Sequence, residues 1–273
     1  MNAGLVRPEP AAAGLRQAAR DLLLVARQLY YEQISFWRNP VGAVFSVGFS
    51  VVFLVLLAAA GGTTKVASLG GIRAIQYYVP SFCAYGVMSM CFNTIAIVLV
   101  VRRETRLLKR LRLSPLPTWV IFVATVLHAL VISLVEVAVL LVIGRLAFDV
   151  QLPKDPIALV LALVVGVACF TALGVAVSTA IPNQESAGPI VSVMFFVLLF
   201  VSGLWYPLPP RSLMASVSDW FPVRHMITAV FAPFDQHPGV APIRWGDLLV
   251  MAIWGSAGAL VAVRRFRWEP RRR

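Results

Sequence analysis

Charge is what this chain has least of. Asp, Glu, Lys and Arg make up 13% of its 273 residues, about half the share found in water-soluble globular domains, so an ordinary soluble fold is excluded. Acids are scarcest, 12 against 24 basic residues, and they offer no paired soluble carboxylates for general acid–base work. The three cysteines, Cys83, Cys91 and Cys169, are odd in number, lie inside apolar runs and lack metal-ligand spacing, so they read as small core residues. Three histidines form no metal pair with a Glu, and no Ser/His/Asp order is present. The phosphate-cradling pattern G-x-x-x-x-G-K-[ST] occurs nowhere, so the chain cannot hold ATP phosphates by itself. Lysine is also rare, 3 against 21 arginines, a bias expected of a GC-rich bacterial genome.

What is abundant is apolar surface, with 59% hydrophobic residues and a mean hydropathy of +0.83. A membrane-crossing helix needs about 20 mostly apolar residues. Six windows meet that need: 41–60, 78–101, 119–143, 157–181, 187–206 and 245–263. The sequence therefore predicts an all-α integral membrane protein whose six-span domain covers 39–263, with no room for a large extramembrane domain. Residues 1–14 read as disordered and 264–273 as a basic tail. Between 15 and 38, Arg16, Arg20, Arg27 and Arg38 share one stripe while Leu15, Leu22, Ala26, Leu29 and Trp37 face mostly the other way, which predicts an amphipathic helix lying in the membrane interface. No secretory signal is visible, because Arg20, Asp21 and Arg27 interrupt the apolar run Leu22–Ala26.

The net charge of +12 would point to nucleic acid in a soluble protein, but its distribution decides otherwise. Seventeen of the 24 basic residues fall in the N-terminal segment, the loop after span two and the C-terminal tail. By the positive-inside rule these are cytoplasmic, both termini included, with lipid head groups as counter-charges and no nucleic acid. The loop after span two is the densest: Arg102, Arg103, Arg106, Lys109, Arg110 and Arg112 accompany Glu104 and end at Pro115 and Pro117.

Inside the spans, polar groups are few. Ser81, Tyr85, Ser89 and Asn93 recur every fourth residue on span two, with Phe82, Met88 and Phe92 beside them. Such a face meets either another helix or a cavity, and helix packing explains it as well as a substrate path does. Glu136 on span three, in register with His128, is an intramembrane acid with either a structural or a transport role. Ala168, Ala172, Ala176 and Ala180 make a small-residue seam on span four. Glu185 lies in the short polar turn that follows.

Taken in order, Glu104, the Leu-Lys-Arg-Leu of 108–111, Pro115 and Pro117, the Ser-Gly-x-x-x-Pro of 202–207, Leu208-Pro209 and the Phe-Pro-Val-Arg-His of 221–225 resemble the membrane subunits of type-2 bacterial ABC exporters, the daunorubicin-resistance group among them. Where that family has a small residue after the loop acid, Thr105-Arg106 stands here, and its Asn-Pro is Phe221-Pro222. The resemblance implies a permease that dimerises, as a homo- or heterodimer, and docks on a separate ATPase subunit that carries the ATP and Mg2+; the chain itself needs no cofactor or metal. It also implies that the loop after span two and the turn after span four contact the ATPase, through Arg103, Glu104, Arg106, Leu107, Leu108, Arg110 and Glu185. Spans two and five would line the path, with Tyr85, Met88, Ser89, Phe92, Asn93, Met194, Phe195 and Phe196, and carry a hydrophobic or amphipathic drug or lipid out of a bacterial cell. Two other readings stay open: a lipid-modifying membrane enzyme using Glu136, His128 or Glu185, and an immunity or assembly subunit without transport.

Overall fold

The computed structural model describes residues 10–66, 71–107, 113, 117–205, 212–235, 237 and 239–265. Six helices in it are long and apolar enough to cross a membrane. Helix α1 (Pro10–Trp37) precedes them and starts ahead of the expected Leu15. Span one is α2 (Pro40–Gly61), started by Asn39, whose side chain accepts from the Gly42 amide, and by Pro40 at a position where a missing N–H costs nothing. A two-residue antiparallel hairpin, β1 (Lys65–Val66) with β2 (Ile72–Arg73), then leads into span two.

Span two is built in three parts: α3 (Ala74–Met88), a π-helical stretch (Ser89–Thr94) and α4 (Ile95–Glu104). Span three is α5 (Thr118–Phe148), ended by Asp149 in the left-handed region. Span four is α6 (Pro156–Ala180), capped by Asp155, which accepts from the amides of Ile157 and Ala158. Span five, α7 (Gln184–Ser202), stops at Ser202 because Gly203 takes a φ of 81°, four residues before the predicted end. Two short helices, α8 (Leu213–Ser218) and α9 (Pro222–Phe231), and a 3-10 turn (Ala232–Phe234) lead to span six, α10 (Trp245–Arg265).

Spans two and four form the centre of the bundle, and span one is the least buried. Two close approaches explain why. Gly174 on α6 lets the π-helical backbone come near enough that a Cβ there would lie 2.6 Å from the Cys91 carbonyl oxygen. On the other side of α6, Gly255 and Gly258 of α10 press against Cys169 and Ala172, so the predicted alanine seam receives the sixth span. Helix α1 packs on α5 and buries Val25 and Glu32, while Leu22, Leu23, Tyr30 and Trp37 stay exposed. That outward apolar face suits a helix resting in lipid.

At the end of the bundle where the hairpin lies, polar groups close the helix termini. Arg73 donates to the carbonyls of Phe148 (3.3 Å) and Asp149 (2.6 Å), and Gln76 exchanges hydrogen bonds with the Gln151 backbone at 3.1 and 2.9 Å. These contacts satisfy carbonyls that the end of α5 leaves without helical partners.

Candidate coupling end and substrate cleft

The opposite end is organised by two consecutive arginines where span two runs out. Successive helix residues point about 100° apart, and Arg102 and Arg103 accordingly grip different elements. Arg102 reaches across to α1 and donates to both carboxylate oxygens of Glu32, at 2.8 and 2.5 Å. Burial pushes the Glu32 carboxyl upward, but the Arg102 hydrogen bonds and charge outweigh it and hold the group below the usual carboxylate range. Arg103 is buried and donates to the carbonyls of Ser178 (3.2 Å), Ile181 (2.7 Å) and Pro182 (3.4 Å). It thus caps the C-terminus of α6, where a cation also complements the helix dipole. Glu104 lies 3.6 Å from the Arg103 Nε and is half-buried.

Beside this clamp, described residues of both neighbouring segments are exposed. Arg106, in the left-handed region at φ 58°, and Leu107 are exposed, and so is Glu185 in the first turn of α7. Asn183 caps that helix by accepting from the Ser186 amide at 2.9 Å. Leu108 and Arg110 lie outside the described residues. Of the residues expected to meet a partner, then, Arg106, Leu107 and Glu185 are displayed, whereas Arg103 is used internally.

Next to the clamp lies a cleft of about 590 Å³ between α1, the start of α2, span two and α5. Tyr85, Ser89 and Asn93 line it together with Glu32, Arg102 and His128. The Asn93 Oδ1 and His128 Nδ1 atoms are buried without a protein hydrogen bond among the described residues. The Phe36 ring stands edge-on to His128 at 5.6 Å.

The other expected path residues lie elsewhere. Phe92 stacks on Phe195 at 6.3 Å, and Phe195 also meets Tyr85 at 5.8 Å, an aromatic contact that ties span five to span two in the core. Met88 is fully buried, while Met194 and Phe196 point outward from α7. Glu136 is buried and accepts from the Ser50 hydroxyl of α2. Its carboxyl occupies the space left by Gly86, where any Cβ would overlap it. Glu136, His128 and Glu185 therefore occupy three separate surroundings: a closed contact between helices, the cleft wall and an exposed helix start.

Two groups escaped the sequence reading. Glu32 sits 70 positions from its partner, a separation that no local pattern reveals. Near the hairpin end, Asp247 of α10 gathers His225 (2.6 Å), Thr228 (2.9 Å) and Arg244 (3.2 Å), and the His225 Nε2 faces the Asp219 carbonyl at 2.9 Å. Both ring nitrogens face acceptors, and the hydrogen bond to Asp247 raises the histidine pKa.

Six helices long and apolar enough to cross a membrane, with a polar-lined cleft beside span two, are the architecture of a multi-pass membrane protein. The ABC-2 type transporter family matches residues 24–234, and the chain belongs to that family. It is 26% identical over 151 residues to a Bacillus subtilis (strain 168) protein named "Putative transport permease YvfS". The match covers 55% of this chain and 61% of the relative's length.

Proposed function

We propose that this chain is the permease subunit of an ATP-binding cassette exporter in a bacterial plasma membrane. It pairs with a second permease, identical or related, and takes its energy from a separate ATPase subunit. The basic ends and the loop after span two face the cytoplasm, in keeping with the distribution of arginine. The ATPase docks against Arg106, Leu107 and Glu185, with Leu108 and Arg110 completing the contact.

One observation carries this reading. Arg103 ties the end of span two to the end of span four by three carbonyl contacts, so the loop and the turn expected to meet the ATPase leave from one mechanical unit. A push on either moves both, and α6 passes the displacement to the π-helical stretch that rests on Gly174. Access to the cleft then alternates as α4 and α6 shift together. The separation of Glu136, His128 and Glu185 favours transport over lipid chemistry, which needs convergent groups.

The test is co-expression with an ABC ATPase from the same genome. ATP hydrolysis stimulated by a hydrophobic or amphipathic compound is expected only when both subunits are present. Hydrolysis by the permease alone, or an ATPase that never co-purifies with it, would overturn the proposal.

A further inference from the structure

The cleft described above is elongated and chemically graded. It follows span two from Arg102 to Tyr85, a run of roughly 25 Å at about 1.5 Å per residue, longer than the roughly 15 Å of one leaflet's hydrocarbon. The charged pair Glu32 and Arg102 lines one end with Ser35 and Asn39, and the rings of Phe49 and Tyr85 line the other with the neutral Ser89. That gradient fits an amphiphile lying along the span, its head at the arginine end and its chain toward the rings.

Charge narrows the choice of head group. Arg102 and Glu32 form a two-contact ion pair with little solvent access, 18% and 7% exposed. An anionic head that takes over the two donors Arg102 gives to Glu32 leaves a buried carboxylate unmatched. A cationic head would strand Arg102 in the same way. Either outcome is expensive for a desolvated charge. A zwitterion brings both signs, so each charge keeps a partner while the pair opens. The buried Asn93 Oδ1 and His128 Nδ1 supply further polar contacts in the same wall.

We infer that the cleft admits a zwitterionic amphiphile, with an ammonium–phosphate head exchanged into the Glu32–Arg102 pair, and that this is the class of cargo. The inference rests on the export reading above and adds the chemistry of what is exported.

The full chain in nanodiscs, with its ATPase, is labelled by a photoactivatable phosphatidylethanolamine, with phosphatidylethanolamine and phosphatidylglycerol of the same chains as competitors. Labelled peptides are expected from α1 and span two, and phosphatidylethanolamine should compete about tenfold better. Glu32→Gln should shift the preference toward phosphatidylglycerol, and Arg102→Gln toward a cationic alkylammonium. The exchanged pair, Glu32→Arg with Arg102→Glu, should restore the original order and show that the fold survives. Equal competition, labelling elsewhere, or single variants that keep the original ranking would overturn the inference. ATP should lower the labelling; labelling indifferent to ATP marks a resident lipid and removes the cargo assignment. If substrate-stimulated hydrolysis persists while the cleft stays unlabelled, this inference fails and the exporter reading stands.

Discussion

The two ends of the bundle are closed by different chemistry. At one, Arg102 and Arg103 fasten span two to α1 and to the end of α6. At the other, His225 and Asp247 fasten α9 to α10, with Asp219, Arg224 and Arg244 around them. Guanidinium keeps its proton at every pH a cell meets, whereas imidazole does not. Loss of a proton from the cation therefore does not release the arginine end, whereas it does loosen the histidine end. If this end transmits force from an ATPase, as proposed above, it gains from the first arrangement, because slack there would lose the stroke.

The comparison is broken most severely at Arg103. Arg103→Ala should cost about 3 kcal/mol, since it leaves the α6 terminus uncapped and empties a buried site. The expected result is ATP hydrolysis no longer coupled to transport, with Arg103→Lys in between. Equal coupling in wild type and Arg103→Ala would show that the clamp carries no force.

A smaller effect is expected at the neighbouring position. A double-mutant cycle of Glu32→Ala and Arg102→Ala, read by thermal unfolding in nanodiscs, should give a coupling of about 1–2 kcal/mol. Additive single effects would remove the pair as a tether for α1.

The histidine end is sharpened by pH. The folded pKa of His225 lies above its ordinary value, so its stabilisation is complete below an unfolded pKa of about 6.5 and fades as pH rises through the folded value. Unfolding temperature should fall across that window, and His225→Gln should flatten the profile. A slope unchanged in the variant would assign it to another group. Smallest of all is the exposed pair Arg145–Asp149, at 2.7 Å with side chains 52% and 82% exposed; its removal should change stability by less than about 0.5 kcal/mol.

The same contrast explains what could be read from the sequence. Six spans were legible because each is a long apolar run, and apolarity is a property of a segment, not of its partners. The helix starts at Asn39-Pro40 and Asp155-Pro156 obey the same local logic, since each depends only on a capping side chain and a following proline. The expected four-residue ladder of span two was only half legible. Ser81 turns back to the Tyr77 carbonyl, while Tyr85, Ser89 and Asn93 share the cleft across a π-helical stretch that a constant 3.6-residue period does not foresee. The arginine-rich loop was visible as charge, but not the division of labour inside it. Whether Arg103 faces a partner or the end of α6 depends on where the chain returns 75 residues later. The resemblance drew attention to the segment 221–225, yet Asp247, which holds its histidine, lies beyond those residues.

The wide turn at Ser89–Thr94 also fixes a phase relation along span two. Relative to an α-helix, such a turn accommodates one surplus residue. Losing a single residue inside it would tighten the coil while both halves kept their orientation. The same loss in the middle of α3, or in α4 ahead of Arg102, would rotate one half by about 100° against the other, swinging the guanidinium of residue 102 off α1 and that of residue 103 off α6. The span thus tolerates shortening at one place, and that place lies within the stretch that borders the cleft.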